Sequence, residues 1–261
     1  MTKSAAPRSD SQYSLAKIIF LWVAAALPMP FLTFLIGPAI APVIGVKVEL
    51  ARFMMIVVGL IWLFVLSMIV LNRELGTLRW SVIRKRMWYQ KPRDPKTGEP
   101  KLRLLWWALP AALIPIIPAI TPLGYIFQEA SLTVIPFLRP WAMGGEELLS
   151  PEFVGQWWIL GVLLISSLFN YFLGEEFLFR GVLLPKMRGV FGRWDWFMNV
   201  ILFSFWHWHQ PWGILATIFS FVFAGWLARR YQCSWIFVIA HGFVGVVIFV
   251  MFLLFVAGIA S

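Results

Sequence analysis

Residues Asn170 to Gly181 read N-Y-F-L-G-E-E-F-L-F-R-G, placing two adjacent carboxylates and an arginine inside otherwise apolar sequence. An ionisable side chain at the centre of a membrane span is disfavoured by about 2.5 to 3.5 kcal/mol on insertion scales. Glu175, Glu176 and Arg180 are therefore expected to be paired, to be functional, or both. In a helix, residues four apart are offset by about 40° around the axis and residues five apart by about 140°. Glu176 can then meet Arg180 while Glu175 points elsewhere, which makes Glu176 the structural partner and Glu175 the freer carboxylate, suited to general-base work. The bland reading of the same residues is a buried ion pair and nothing more.

The surroundings of this stretch fix the class of protein. With 61% hydrophobic and 13% charged residues and a mean hydropathy of +0.81, the 261-residue chain is far too apolar for an ordinary soluble domain. The expected fold is all-α, a polytopic integral membrane bundle of about seven or eight transmembrane helices, some kinked or partly inserted. A net charge of +10 could suggest nucleic acid, but ten of the 22 Lys and Arg residues lie between Arg73 and Arg103, flanking spans, as the positive-inside rule places them. No nucleic-acid partner is expected. The single cysteine, Cys233, excludes an internal disulfide and a thiolate metal cluster.

Three regions follow from the pattern: a polar, disordered cytoplasmic tail over residues 1–13, an N-terminal membrane region over 14–152 containing a basic loop at 72–103, and a core over 153–261. The first span, about Leu15 to Ile44, is an uncleaved segment interrupted by Pro28, Pro30, Pro38 and Pro42, so a kinked or broken helix is expected. Val46 to Arg52 read as a connection and Phe53 to Leu71 as a clean second span. The basic loop carries only Glu74, Asp94 and Glu99 as acids, which predicts that it and the N-terminus are cytoplasmic. Its first half, with Trp80, Val82, Ile83, Met87 and Trp88 among Arg79, Arg84, Lys85 and Arg86, reads as an interfacial helix or as a plain positive anchor. Leu104 to Leu138 carry five prolines and predict one kinked span followed by a partly inserted piece, in which Glu129 is a minor candidate for a site carboxylate. The acidic loop Arg139 to Glu152 suits the extracytoplasmic side. Gln156 to Arg188 form the span with the two glutamates, a turn follows at Gly189 to Asp195, and three further segments, Trp196 to His209, Pro211 to Ala228 and Ser234 to Ile259, complete the chain.

All three histidines, His207, His209 and His241, lie in apolar sequence after the carboxylates. If the chain turns at Phe191 to Gly192, an antiparallel hairpin sets His207 level with Glu176, and at about 1.5 Å of rise per residue that level lies roughly 20 Å from the turn. His241 follows the basic pair Arg229–Arg230 by about ten residues and can reach the same depth with tilt. A carboxylate with one imidazole can activate water while a second imidazole stabilises the oxyanion formed when water attacks a carbonyl. The same residues could bind zinc. That alternative is disfavoured because His207 and His209, two apart on a helix, point about 200° from each other unless the helix has ended. The expected site therefore needs no metal and no cofactor.

These residues resemble the CPBP family, the membrane-embedded CAAX prenyl proteases and bacteriocin-processing or immunity proteins also called the ABI family. Its motifs E-E-x-x-x-R, F-x-x-x-H and H-x-x-x-N/D correspond to Glu175–Arg180, Phe203–His207 and His241–Gly245, and the similarity covers about residues 156 to 250. The resemblance implies a glutamate-dependent intramembrane endopeptidase acting on a peptide or lipid-modified protein. It implies Glu175 and His207 as the catalytic pair, Glu176 and Arg180 as supports of the geometry, and His241 in the oxyanion site. Phe205 to His209 also satisfies the second motif, but prenyl proteases often carry a second histidine two beyond the motif one, which favours His207 and leaves His209 and Phe203 as supporting residues. Gly245 departs from the usual Asn or Asp, so an oxyanion donor is missing, is replaced by water or a backbone group, or the protein is weak in catalysis. A non-catalytic membrane binding or immunity protein of the same fold is the alternative that Gly245 motivates. A proton-relaying transporter is the third reading, and internal symmetry that would favour it is not seen. A plasma (inner) membrane of a prokaryote, with the surrounding lipids as partners, is the expected location.

Overall fold

A computed structural model describes residues 11–141, 149 and 151–259, so most of the expected polar tail and most of the acidic loop, Glu146 and Glu147 included, lie outside the described residues. The described chain is helical, with no strand beyond a single bridge between Arg93 and Pro100. Among the described residues, six helical runs are long and apolar enough to cross a membrane: Leu15–Ile44, Val48–Leu75, Leu102–Ile120, Trp158–Lys186, Pro211–Tyr231 and Trp235–Val256. This is an integral membrane protein built as a helical bundle. The expected count of seven or eight also included the return segment at Trp196, which forms the helix Asp195–Trp206 of 12 residues. At 1.5 Å per residue that helix is about 18 Å long, short of a hydrocarbon core about 30 Å thick.

The first run is broken where proline demands it, into helices Leu15–Ala26 and Pro28–Phe31, a π-turn Leu32–Ile36 and a helix Gly37–Ile44. Pro28 has no N–H to offer the Ala24 carbonyl. The Trp62 indole donates to that carbonyl at 2.8 Å, and the Trp206 indole donates to Ala25 O at 3.1 Å. Trp22 returns a bond of 2.7 Å to Leu202 O. Where lipid cannot hydrate the backbone, freed carbonyls must find protein donors, and here the search for them staples the kinked run to the second span and to the Asp195–Trp206 helix. The second span begins at Val48, before the expected Phe53, because Arg52 is buried with its guanidinium 5.0 Å from the Phe34 ring. Arg52 thus joins the helix instead of a connection.

The polar contacts separate to two ends of the bundle. At one end Lys47 pairs with Glu152, and Gly155 N–H donates to Val256 O at 2.8 Å. At the other, Tyr13 and Arg86 both donate to Glu74, Lys186 stands 3.4 Å from it, and Arg229 pairs with Asp195. Tyr13, placed by the sequence in a disordered tail over residues 1–13, is instead buried in this cluster. Burial away from water pushes the Tyr13 phenol above its ordinary range. The loop helix forms as Trp80–Arg86, but its Ile83 and the following Met87 are buried in protein, so it packs on the bundle instead of only lying at an interface.

Cys233 sits in the turn between the last two spans, buried, with its thiol donating to Gln90 O at 3.1 Å. Burial pushes the thiol up to about 11, and the thiolate is the reactive form. N-ethylmaleimide is therefore expected to leave Cys233 unlabelled in the intact protein at neutral pH and to label it fully in SDS; rapid labelling of the intact protein would place the thiol at the surface and contradict this packing.

Candidate active site

The Trp158–Lys186 span is not a regular helix. An α-helix Trp158–Leu168 passes into a π-turn Phe169–Leu173, a short helical step at Glu175 and Glu176, a second π segment Phe177–Leu183 and a 3-10 turn Leu184–Lys186. Every residue from Gly174 to Leu184 is buried. Wide turns leave carbonyls to be satisfied from outside, and the neighbours satisfy them in series. Asn199 donates to Phe179 O at 2.7 Å, Ser234 to Arg180 O at 3.3 Å, and Arg86 to Gly181 O and Val182 O at 3.2 and 3.1 Å. Gly174 makes the approach of the second span possible, since a Cβ there would lie 2.7 Å from Leu60 O. The segment bearing the two carboxylates is thus held by contacts from most of the chain.

Glu176 and Arg180 are fully buried, and Arg180 Nε stands 3.5 Å from Glu176 Oε2 as an ion pair without hydrogen-bond geometry. The guanidinium instead sits in the corner formed by two nearly perpendicular rings, 3.9 Å from the Phe203 ring centroid and 3.4 Å from that of Phe237. Cation–π contacts of this kind strengthen when desolvated. They also give Phe203 a physical task, because its ring further packs against His207 and His241 with centroid separations of 5.0 and 5.8 Å. The spacing argument that pairs Glu176 with Arg180 and frees Glu175 agrees with this geometry, although the path between them is π-helical.

Glu175 is 2% exposed. With the Asn170 amide nitrogen oriented toward it, Asn170 donates to Glu175 Oε1 at 2.7 Å and Oε2 at 3.1 Å. His207 lies just past the end of the Asp195–Trp206 helix, with Nε2 3.9 Å from Glu175 Oε1. Its Nδ1 is 3.0 Å from Phe203 O, an acceptor only, so Nδ1 carries the proton and Nε2 presents a lone pair. His241, from the last span, places Nδ1 2.9 Å from Glu176 Oε1 and 3.9 Å from Glu175 Oε2. Glu175, His207 and His241 line one cavity of about 530 Å3, whose other walls are mostly apolar side chains from the second, third and last spans, such as Phe53, Pro118 and Phe252.

His209 also lines this cavity, stacked on His207 with ring centroids 5.6 Å apart and planes inclined by 23°. The helix has ended before both histidines, so the 200° divergence expected on a continuous helix does not apply, and that argument against a metal falls. The chemistry of the donors is a better guide. Glu175, Glu176 and His241 offer ligand atoms within 4.8 Å of one another. Arg180 already compensates Glu176, however, and Asn170 occupies both oxygens of Glu175. Glu129 is elsewhere: it takes two bonds of 3.0 Å from Arg139 on the exposed surface and does not line the cavity. Gly245 packs under Tyr171, where a Cβ would collide with the edge of the Tyr171 ring. Asn170 and Tyr171 were not singled out by the sequence, in which they carry no motif; their one signal was polar character at the start of the quoted stretch.

No curated protein and no solved structure matches the chain. Residues 156–247 do match a family model, that of the Type II CAAX prenyl endopeptidase Rce1-like proteins. The matched stretch begins just before the helix that leads into Asn170 and ends just after Gly245, so the two carboxylates, the arginine and all three histidines stand within an Rce1-like region of this chain.

Proposed function

We propose that this protein is an intramembrane endopeptidase that hydrolyses a peptide bond of a membrane-associated or lipid-modified protein with water activated by Glu175 and His207. The observation that carries the reading is the facing of Glu175 Oε1 and His207 Nε2 across 3.9 Å at one cavity, inside a region matching a CAAX protease family. That gap is too long for a direct hydrogen bond and suits a single bridging water. Such a water donates one hydrogen to each group, leaving its lone pair for a scissile carbonyl. Attack forms the C–O bond as Glu175 takes the water proton; collapse of the tetrahedral intermediate breaks the C–N bond, and Glu175 returns the proton to the leaving nitrogen. His241 serves the oxyanion. With one proton held in its 2.9 Å bond to Glu176, on either atom, Nε2 can carry a second and donate it. Apolar walls favour an apolar peptide or acyl chain. The basic end of the bundle, with Arg79 to Arg103 beside it, is assigned to the cytoplasm of a prokaryotic inner membrane.

The test compares peptide termini by mass spectrometry in membranes carrying the wild-type protein or Glu175→Gln. Termini that arise only with wild type support proteolysis and name the substrate; identical sets with both proteins folded and abundant would leave a non-catalytic binding role. A metal-dependent variant of the reaction is favoured only by the proximity of Glu175, Glu176 and His241. Treatment with 1,10-phenanthroline is expected to leave the cleavage rate unchanged, and a loss restored by added zinc would replace the metal-free mechanism.

A further inference from the structure

We infer that Asn170 is a catalytic residue of this site, holding Glu175 and supplying an amide donor to the oxyanion, and that Tyr171 positions it by occupying the space over Gly245. The inference rests on the proteolytic reading above and adds two residues to it. Stabilising a tetrahedral oxyanion takes donors fixed in advance, and His241 offers one. Asn170 lines the same cavity and already bonds both oxygens of Glu175, at 2.7 and 3.1 Å. A carboxamide nitrogen bears two hydrogens. One serves Glu175, and the other is available to a carbonyl oxygen brought against Glu175 by the attacking water.

The reason Asn170 can stand there is the wide turn Phe169–Leu173 together with the glycine opposite. The Tyr171 ring, next to Asn170 in that turn, meets His241 edge to face at 4.8 Å. Any side chain at position 245 would collide with that ring. Tyr171 therefore anchors the turn that carries Asn170 beside the second imidazole, and Gly245 is the vacancy that admits it.

The experiment measures kcat and KM on a quenched fluorescent peptide spanning the cleavage site that terminus mapping identifies. Asn170→Ala and the near-isosteric Asn170→Leu are expected to lower kcat about 10²- to 10³-fold, the scale of losing one oxyanion donor, with KM nearly unchanged. Gly245→Asn alone is expected to fail to assemble, because of Tyr171. Tyr171→Ala with Gly245→Asn is expected to assemble and, added to Asn170→Ala, to recover at least about tenfold in kcat, since an amide then reaches the cavity from the last span. Wild-type kcat in both Asn170 variants, a loss confined to Tm and abundance, or no recovery in the triple variant overturns the inference. If Glu175→Gln also cleaves at the wild-type rate, the reading of Glu175 as the base fails; if Glu175→Gln is inactive while the Asn170 variants are normal, only the role of Asn170 does.

Discussion

Glu175→Gln is expected to lower the cleavage rate by about 10²- to 10⁴-fold, the usual contribution of a positioned general base, equivalent to about 3 to 5.5 kcal/mol in the activation barrier. Glutamine keeps the shape of the side chain and still accepts a bond from Asn170, but it cannot take a proton from water. Removing a charge from a residue 2% exposed does not harm assembly, so Tm is expected to equal or exceed that of the wild type. His207→Ala is expected to give a loss of similar size, by releasing the water that the Nε2 lone pair orients. The informative control is Glu129→Gln, which removes a carboxylate bound only to exposed Arg139 and is expected to retain the full rate. Cleavage at the wild-type rate by both Glu175→Gln and His207→Ala would exclude these two groups as the ones that activate water.

The second large effect is on stability. Arg180→Ala leaves Glu176 in the interior without its counter-charge and leaves a gap between the Phe203 and Phe237 rings, which lie 3.9 and 3.4 Å from the guanidinium carbon. Breaking a buried pair from one side costs about 3 to 5 kcal/mol, enough to unfold many domains. The variant is expected to be lost from detergent extracts. Arg180→Lys should not rescue it, because an ammonium cannot stack a planar face on an aromatic ring as a guanidinium does. Replacing both charges, as Arg180→Met with Glu176→Gln, is expected to restore most of the folded protein while leaving it impaired in catalysis, since His241 then loses the carboxylate that orients it. A folded Arg180→Ala protein with the Tm of the wild type would show that the pair has no structural weight.

Much of this architecture could be read from the order of residues alone. Composition determined that the chain lives in a membrane, and the prolines at 28, 30, 38 and 42 determined that the first crossing would be broken, because a residue without an N–H cannot complete a helix ladder. Charge in apolar sequence singled out Glu175, Glu176 and Arg180, and equal distances from a turn set His207 level with Glu176. These are local properties, or consequences of one hairpin, and a linear pattern carries them. Other features depend on groups far apart in sequence. The π segment Phe177–Leu183 forms where Arg86, Asn199 and Ser234 arrive to take up backbone carbonyls. The end of the helix before His207 turns both His207 and His209 into the cavity. Asn170 meets Glu175 because the backbone widens between them, and Tyr171 meets Gly245 across two spans because the glycine leaves room. The sequence by itself determined which residues had to be buried and charged; only the tertiary structure decided what each would face, because in a medium without water every unsatisfied donor and acceptor must be answered by whichever distant part of the chain packs against it.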